Sequence, residues 1–378
     1  MNMKKIFSLI VAALMVLSLA ACGGGGASTT ASGPASPEAG TSAPEASAGD
    51  AGNSDAITVA LVTSKRGDNG FNDQAWLGCQ MAAQDYGINL MDAQAADIAE
   101  ADAAIRNYSD SGDVDLIVVV GANYTETLAM VAADYPEQKY SMVDAIMDPP
   151  MDNVSSNATI DGEQGFLSGV ISGFVTRGDY AESFPRANTG KNVIVYAGGL
   201  DSPVSRAGAA GYMAGVLYVN PDCEIIYNIV GSYQDPVKAK EIAMSGVARG
   251  ADIITGNCGS GSLGLNEAAI EAGCYFIATS MAGLDPTCSL CTSVKLTENE
   301  VYDEIKAVVE GSFIPGGERL GIANAYCDVS IEGVEIEYPQ ELLDIVEEIR
   351  EEVHAGKITM PEDVSDLDAW KAANQYKA

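Results

Sequence analysis

Side chains able to bind or react recur at one kind of place in this 378-residue sequence, just after short β-branched runs. Ser64-Lys-Arg-Gly-Asp68-Asn-Gly-Phe71-Asn72 follows Ile57–Thr63, Gly121-Ala-Asn123 follows the run from Val114, and Asp144 closes Lys139–Asp144. Further on come Gly231-Ser-Tyr233-Gln-Asp235, then Gly256-Asn-Cys-Gly259, then Ser280, then Lys295. Taken singly, each serves as a cap or a turn. Together they outline a polar cleft with aromatic rings available for stacking.

Covalent and metal chemistry are poorly supplied. Gly259-Ser-Gly261-Ser-Leu-Gly264 has the glycine spacing of a dinucleotide-binding turn, but the next run ends at Thr279-Ser280 with no carboxylate for a ribose. Glycines that let a helix pack closely on a strand explain it. The sole histidine, His354, sits in an acidic segment far from any serine in a nucleophile elbow. Cys288-Ser-Leu-Cys291 has CxxC spacing without the further ligands of a closed zinc site. With Cys22 set aside, seven cysteines remain, an odd number that cannot all pair within one chain. No cofactor is expected.

The elements that must position the cleft are strands alternating with helices. Strands are expected at Ile57–Thr63, Val114–Gly121, Lys139–Asp144, Asn192–Ala197, Glu224–Gly231, Ala251–Gly256, Tyr275–Thr279 and Cys291–Lys295. Helical spacing is expected at Asn72–Tyr86, Glu163–Val175, Val204–Val219, Pro236–Arg249 and Leu263–Ala272. Continuous apolar runs such as Leu116-Ile-Val-Val-Val120 belong in parallel sheets covered on both faces. The series is long enough for two such sheets, with a first crossing between lobes near Asn153–Gly165. In open parallel sheets ligands bind beyond the carboxyl ends of the strands, where these polar loops lie. Near the end, Leu342, Ile345, Val346, Ile349 and Val353 form an apolar stripe on an acidic helix that should pack on a lobe.

The N-terminus has the parts of a secretory signal: Lys4-Lys5, an apolar run from Ile6 to Leu17, and Leu19-Ala-Ala-Cys22. The run is short for a spanning helix, which needs about 20 residues. Residues 23–55 contain only Gly, Ala, Ser, Thr, Pro, Asp, Glu and Asn and can build no core, so a tether with a reach of roughly 30 Å is expected. The formal net charge of −33 argues against nucleic acid as a partner.

Leu19-Ala-Ala-Cys22 resembles the bacterial lipobox, whose cysteine carries lipid, and acyl chains there would hold the chain on the outer face of a cell membrane. From about Ile57 to Pro361 the sequence resembles the basic membrane protein (BMP) family of ABC-transporter substrate-binding lipoproteins, which includes purine-nucleoside receptors. The motifs are Asp68-Asn-Gly-Phe71-Asn72 with Ala75-Trp76-Leu-Gly78, Ala132-Ala-Asp-Tyr135-Pro136, and Glu163-Gln-Gly165 through Gly169. They continue with Gly198-Gly-Leu-Asp201, Gly231-Ser-Tyr233-Gln-Asp235-Pro236, Gly250-Ala-Asp252, Gly261-Ser-Leu-Gly264 and Thr292-Ser-Val-Lys295.

The resemblance implies a type I periplasmic-binding-protein fold, two lobes each with a mostly parallel sheet flanked by helices, closing on a solute without covalent chemistry. It implies a signal peptide at 1–21, a lipid-anchored linker at 22–55, and lobe 1 at 56–160 with a return segment near 280–315. Lobe 2 would span 161–279 with 316–378. Phe71 would stack on a base, Asp68, Asn72 and Asp144 would hydrogen-bond base or ribose, and Lys295 would reach the sugar side. Asn123, Tyr233, Gly259 and Ser280 complete the expected site, and permease and ATPase subunits are the expected partners. Three departures matter. Tyr233 stands where the family usually has phenylalanine, Thr255 where nucleoside receptors supply a second ring, and Ser280 where they usually have an aspartate. A lipid-anchored sensor for another solute would use the same closing fold, and a dinucleotide-binding enzyme is the remaining alternative.

Overall fold

A computed structural model describes residues 56–68, 70–188, 190–279 and 285–377. The expected signal peptide, linker and Cys22, and the site residue Ser280, lie outside these residues. The described residues form twelve strands and ten α-helices.

The first sheet contains β1 (Thr58–Thr63), β2 (Asn89–Gln94), β3 (Leu116–Val120), β4 (Tyr140–Val143), β5 (Val154–Thr159) and, much later in the chain, β11 (Gly316–Leu320). Their order is β11-β5-β4-β3-β1-β2, and every pairing is parallel. The second sheet contains β6 (Val193–Gly198), β7 (Glu224–Ile229), β8 (Ile253–Asn257), β9 (Tyr275–Thr279), β10 (Ser289–Lys295) and β12 (Cys327–Ser330). Its order is β12-β10-β9-β8-β6-β7, parallel except at β12. The two sheets thus repeat one winding. In each, the first strand lies between the second and the third, so the chain reverses its direction of growth there and opens a crevice at the strand ends.

Helices cover both faces. α1 (Phe71–Tyr86), α2 (Ile98–Ser111), α3 (Thr125–Asp134) and α8 (Thr297–Val309) flank the first sheet. α4 (Asp161–Arg177), α5 (Pro203–Val219), α6 (Pro236–Val247), α7 (Ser262–Ala272), α9 (Gln340–His354) and α10 (Leu367–Ala373) flank the second. The stripe Leu342, Val346, Ile349 and Val353 of α9 is buried in the core of the second lobe, with Ile345 partly buried beside it. α4 is buried nearly all round because α5 lies directly on it. Gly165, Gly169 and Gly173 of α4 lie against Tyr212 and Val216 of α5, Gly211 and Gly215 of α5 lie against the backbone of Gly162 and Phe166 of α4, and a Cβ on Gly169 would run into the carbonyl oxygen of Tyr212.

The chain passes between lobes after β5, after β10 and after β11. This shifts the return segment expected at 280–315. β10 belongs to the second sheet because it pairs with β9, and β11 belongs to the first because it pairs with β5. The segment that returns to lobe 1 is therefore α8 with β11. Val301, Ile305 and Val308 of α8 pack against Ala75 and Cys79 of α1. Strands β2 and β5 escape the sequence pattern for different reasons. β2 is a half-exposed edge strand, whereas β5 (Val-Ser-Ser-Asn-Ala-Thr) is buried but polar, its side chains meeting glutamates of α8.

Candidate functional site

The polar loops that follow the strands meet at the carboxyl ends of both sheets. β1 ends in the loop that Asp68 organises. Its Oδ1 accepts from the backbone N–H of Gly70 (3.0 Å) and Asp73 (3.3 Å), and its Oδ2 from the N–H (3.1 Å) and side-chain amide (2.8 Å) of Asn72. Four donors commit this carboxylate to the loop, and the result is to fix Asn72 and the half-buried Phe71 at the start of α1. Asn123 is exposed in the turn after β3, beside Gly121.

Lys295 is the centre of the site. It ends β10 in the second sheet, yet its Nζ is bonded to Asp144 at the end of β4 in the first. The same Nζ lies 5.3 Å from the centroid of the Phe71 ring, within range of a cation–π attraction. The backbone carbonyl of Lys295 accepts from the Gln74 amide at 3.1 Å. One buried cation therefore ties strand ends of both lobes to the aromatic ring. Asp144 adopts φ 74°, a left-handed conformation that aspartate tolerates better than most residues and that is enriched at ligand sites.

Two acidic residues absent from the sequence-based site surround this cation. Burial pushes the Asp161 carboxyl, at the start of α4, up to about 6, with Lys295 opposing and Asp144 adding to the rise. Burial likewise pushes Glu300 of α8 up to about 7, against the pull of Lys295, while the Thr159 hydroxyl donates to it at 2.8 Å. For Lys295 burial acts downward, but Asp144, Asp161 and Glu300 outweigh it and keep the ammonium protonated. The position of Asp161 at the first chain crossing was the available signal. Glu300 reads as one more charge in an acidic helix, and nothing local marks it as buried.

The other expected residues lie on the second lobe. The Tyr233 ring rests on Gly199 at the end of β6, and its backbone carbonyl accepts from Gly261 N–H and Ser260 Oγ, both at 3.3 Å. Gly259 has φ +56°, and a side chain there would strike that carbonyl. Thr255 is buried and its hydroxyl donates to the Ile277 carbonyl at 3.0 Å. It lines, with Asp161, Gln164 and Asn257, a recess of about 10 Å³, room for roughly one water.

The Gly259–Gly264 motif and the cysteines each have a defined place in the fold. Gly264 of the Gly259–Gly264 motif sits against the Pro236 backbone, where helices α6 and α7 meet. The seven described cysteines are buried and unbonded to one another, and burial lifts Cys258 and Cys274 to about 11, which disfavours the thiolate form there. Among the described residues no group of three or more His, Cys, Asp or Glu could hold a metal ion, and no helix is long and apolar enough to cross a membrane.

Residues 57–358 match the model of the Bmp family, described as ABC transporter substrate-binding protein PnrA-like. The chain belongs to this family. It is 27% identical over 352 residues to the CD4+ T-cell-stimulating antigen of Listeria innocua, which covers 85% of this chain and 93% of that protein. It is 24% identical over 333 residues to the ABC transporter nucleoside-binding protein BmpA of Lactococcus lactis, covering 81% and 89%. A crystal structure of an ABC transporter solute-binding protein from Aeropyrum pernix superposes with a TM-score of 0.73 at 27% identity, over 84% of this chain and 98% of that one. The fold is the type I fold of periplasmic solute-binding proteins, and the Bmp chain is a substrate-binding protein of an ABC transporter rather than an enzyme.

Proposed function

We propose that this protein is held by lipid on Cys22 at the outer face of the cell membrane and captures a nucleoside, or a similar planar polar metabolite, between its lobes for a permease and ATPase. The grouping of Phe71, Asp144 and Lys295 carries the proposal. A ring beside a carboxylate and an ammonium offers a flat solute a stacking face, an acceptor and a donor at one point. The solute would share Asp144 and Lys295 by entering their ion pair, so the cost of separating the two charges would be met by new hydrogen bonds. Because Thr255 brings no second ring, stacking would be one-sided, which costs about 0.5–1.5 kcal/mol relative to a two-ring site. The nucleoside-binding name of the Lactococcus lactis relative supports the ligand class. The lipobox-like Leu19–Cys22 segment supports the anchor.

Thermal unfolding of the full chain with nucleosides, free bases, sugars and amino acids tests the ligand class. A true ligand at a hundred times its dissociation constant should add about 2.7 kcal/mol of stability. Phe71→Ala should shrink the shift at that concentration by about 0.5–1.5 kcal/mol. A shift from sugars or amino acids with none from any nucleoside or base would overturn the nucleoside reading.

A further inference from the structure

The recess beside Thr255 is walled by β6, β8, β9 and β10 of the second sheet and by α4 and α5. Three of its hydroxyls are spent inside the fold. Thr255 donates to the Ile277 carbonyl at 3.0 Å, Thr279 donates to the Gly256 carbonyl at 3.3 Å, and Ser293 Oγ lies 2.6 Å from Ser168 Oγ. Three other groups that line it are not spent. No described residue is hydrogen-bonded to the Tyr196 hydroxyl or to the Asn257 side chain, and the Asp161 carboxylate meets only its own N–H. Tyr196 is 4% exposed, and its hydroxyl is not sealed within the core.

These groups face one space. A Cβ built on Gly208 of α5 would lie 4.0 Å from Tyr196 Oη and 3.8 Å from the Asp161 carbonyl oxygen, so the phenol and the start of α4 border the same gap. Burial raises the Tyr196 phenol above its ordinary value, which keeps it a donor. The Asp161 carboxyl, at about 6, is ionised at neutral pH and accepts. Asn257 offers both a donor and an acceptor. With about 10 Å³ between them, they surround room for one oxygen atom. A hydroxyl, which donates one hydrogen and accepts through its lone pairs, matches that set. An amide N–H would leave the phenol without an acceptor, and a methyl would leave all three groups unmatched.

We infer that the recess receives one hydroxyl of the solute, with Tyr196 donating to it and Asp161 accepting from it. The identity of that hydroxyl, a sugar hydroxyl, rests on the nucleoside reading above. Asp161 also acts on the Lys295 ammonium, so the recess adjoins the grouping of Phe71, Asp144 and Lys295. A solute spanning the two would place its ring at Phe71 and its hydroxyl against Tyr196. The recess therefore selects hydroxylated solutes over free bases, because a solute without the hydroxyl leaves Tyr196 and Asp161 with water alone.

Isothermal titration calorimetry of the full chain tests this with adenosine, inosine and uridine, the 2′-, 3′- and 5′-deoxy form of each, their free bases, and D-ribose. At least one deoxy form of the nucleoside that binds should be weaker tenfold or more. Tyr196→Phe should weaken the parent nucleoside by the same factor and leave that deoxy form unchanged. Gly208→Ala should do likewise, since its methyl fills the recess with no contact under 3.8 Å and alanine is favoured over glycine within a helix. The inference is overturned if every deoxy form binds as its parent does, or if a free base binds as tightly as its nucleoside. It is also overturned if the two variants weaken the parent and all deoxy forms alike, or if none of the hydroxylated solutes binds. Binding of D-ribose with none of any nucleoside would refute the nucleoside reading alone. The recess would then stand or fall on whether a deoxy form of ribose is weakened tenfold and is insensitive to Tyr196→Phe.

Discussion

Lys295 holds three acidic groups in one buried cluster, and its neighbours have a consequence for stability. Asp161 and Glu300 keep protons in the folded protein, up to about pH 6 and about 7, that the unfolded chain releases near 3.8 and 4.5. The native state therefore binds more protons than the unfolded state across that interval, and stability must fall as pH rises through it. Each group contributes on the order of 3 kcal/mol to the fall. Glu300→Gln should flatten the decline between pH 4 and 8 and raise stability at pH 8, measured by urea unfolding at a series of pH values. A variant that keeps the full decline would show that Glu300 ionises normally. At this scale the sequence was half legible. That Phe71, Asp144 and Lys295 come together could be read because polar residues at the strand ends of parallel sheets gather in one crevice. Glu300 could not, because its burial depends on β5, a strand far away in the chain, and residue type does not encode burial. Asp68 was legible as a residue of that crevice, but the four loop donors that its carboxylate accepts were not.

Among the elements, α4 and α5 show how small residues set the distance between two helices. Their glycines bring backbone against backbone, so added volume has nowhere to go. Gly169→Val should cost about 1–3 kcal/mol or more by overpacking, seen as a lower urea midpoint with an unchanged slope. A neutral result would mean that the helices can move apart freely. The strongly apolar strands, β3 above all, were plain in the sequence, as was the stripe of α9. Elements that carry polar side chains into the interior were not. β5 places Ser156, Asn157 and Thr159 inside because Glu300 and Glu304 are there to meet two of them. Alternation of apolar and polar residues cannot announce a strand whose inner face is polar.

The whole molecule combines a two-lobed binding fold with an N-terminal segment of very different composition. Of the Asp and Glu residues, 53 in all against 20 Lys and Arg, thirteen fall between Ile331 and Asp368, so the acidity is concentrated partly on the last helices. If Cys22 carries the lipid, Cys22→Ala should move the protein from the membrane fraction to the soluble fraction and abolish incorporation of labelled palmitate. Retention on the membrane with the label absent would point instead to an uncleaved apolar N-terminus. The doubled strand order was legible only as a class. Which strand joins which sheet late in the chain depends on β10 finding β9 and β11 finding β5, pairings that no local pattern encodes.

That late interleaving also governs time. When residues up to about Thr279 have been made, both sheets have most of their strands and neither lobe is complete. The face of α1 that bears Ala75 and Cys79 still lacks Val301, Ile305 and Val308, and the edge of β5 lies open until Gly316–Leu320 arrives. A ribosome nearing the end of this message therefore holds two unfinished halves, each waiting for residues that lie beyond the other in the sequence. A chain so ordered stays unfinished until almost its last strand.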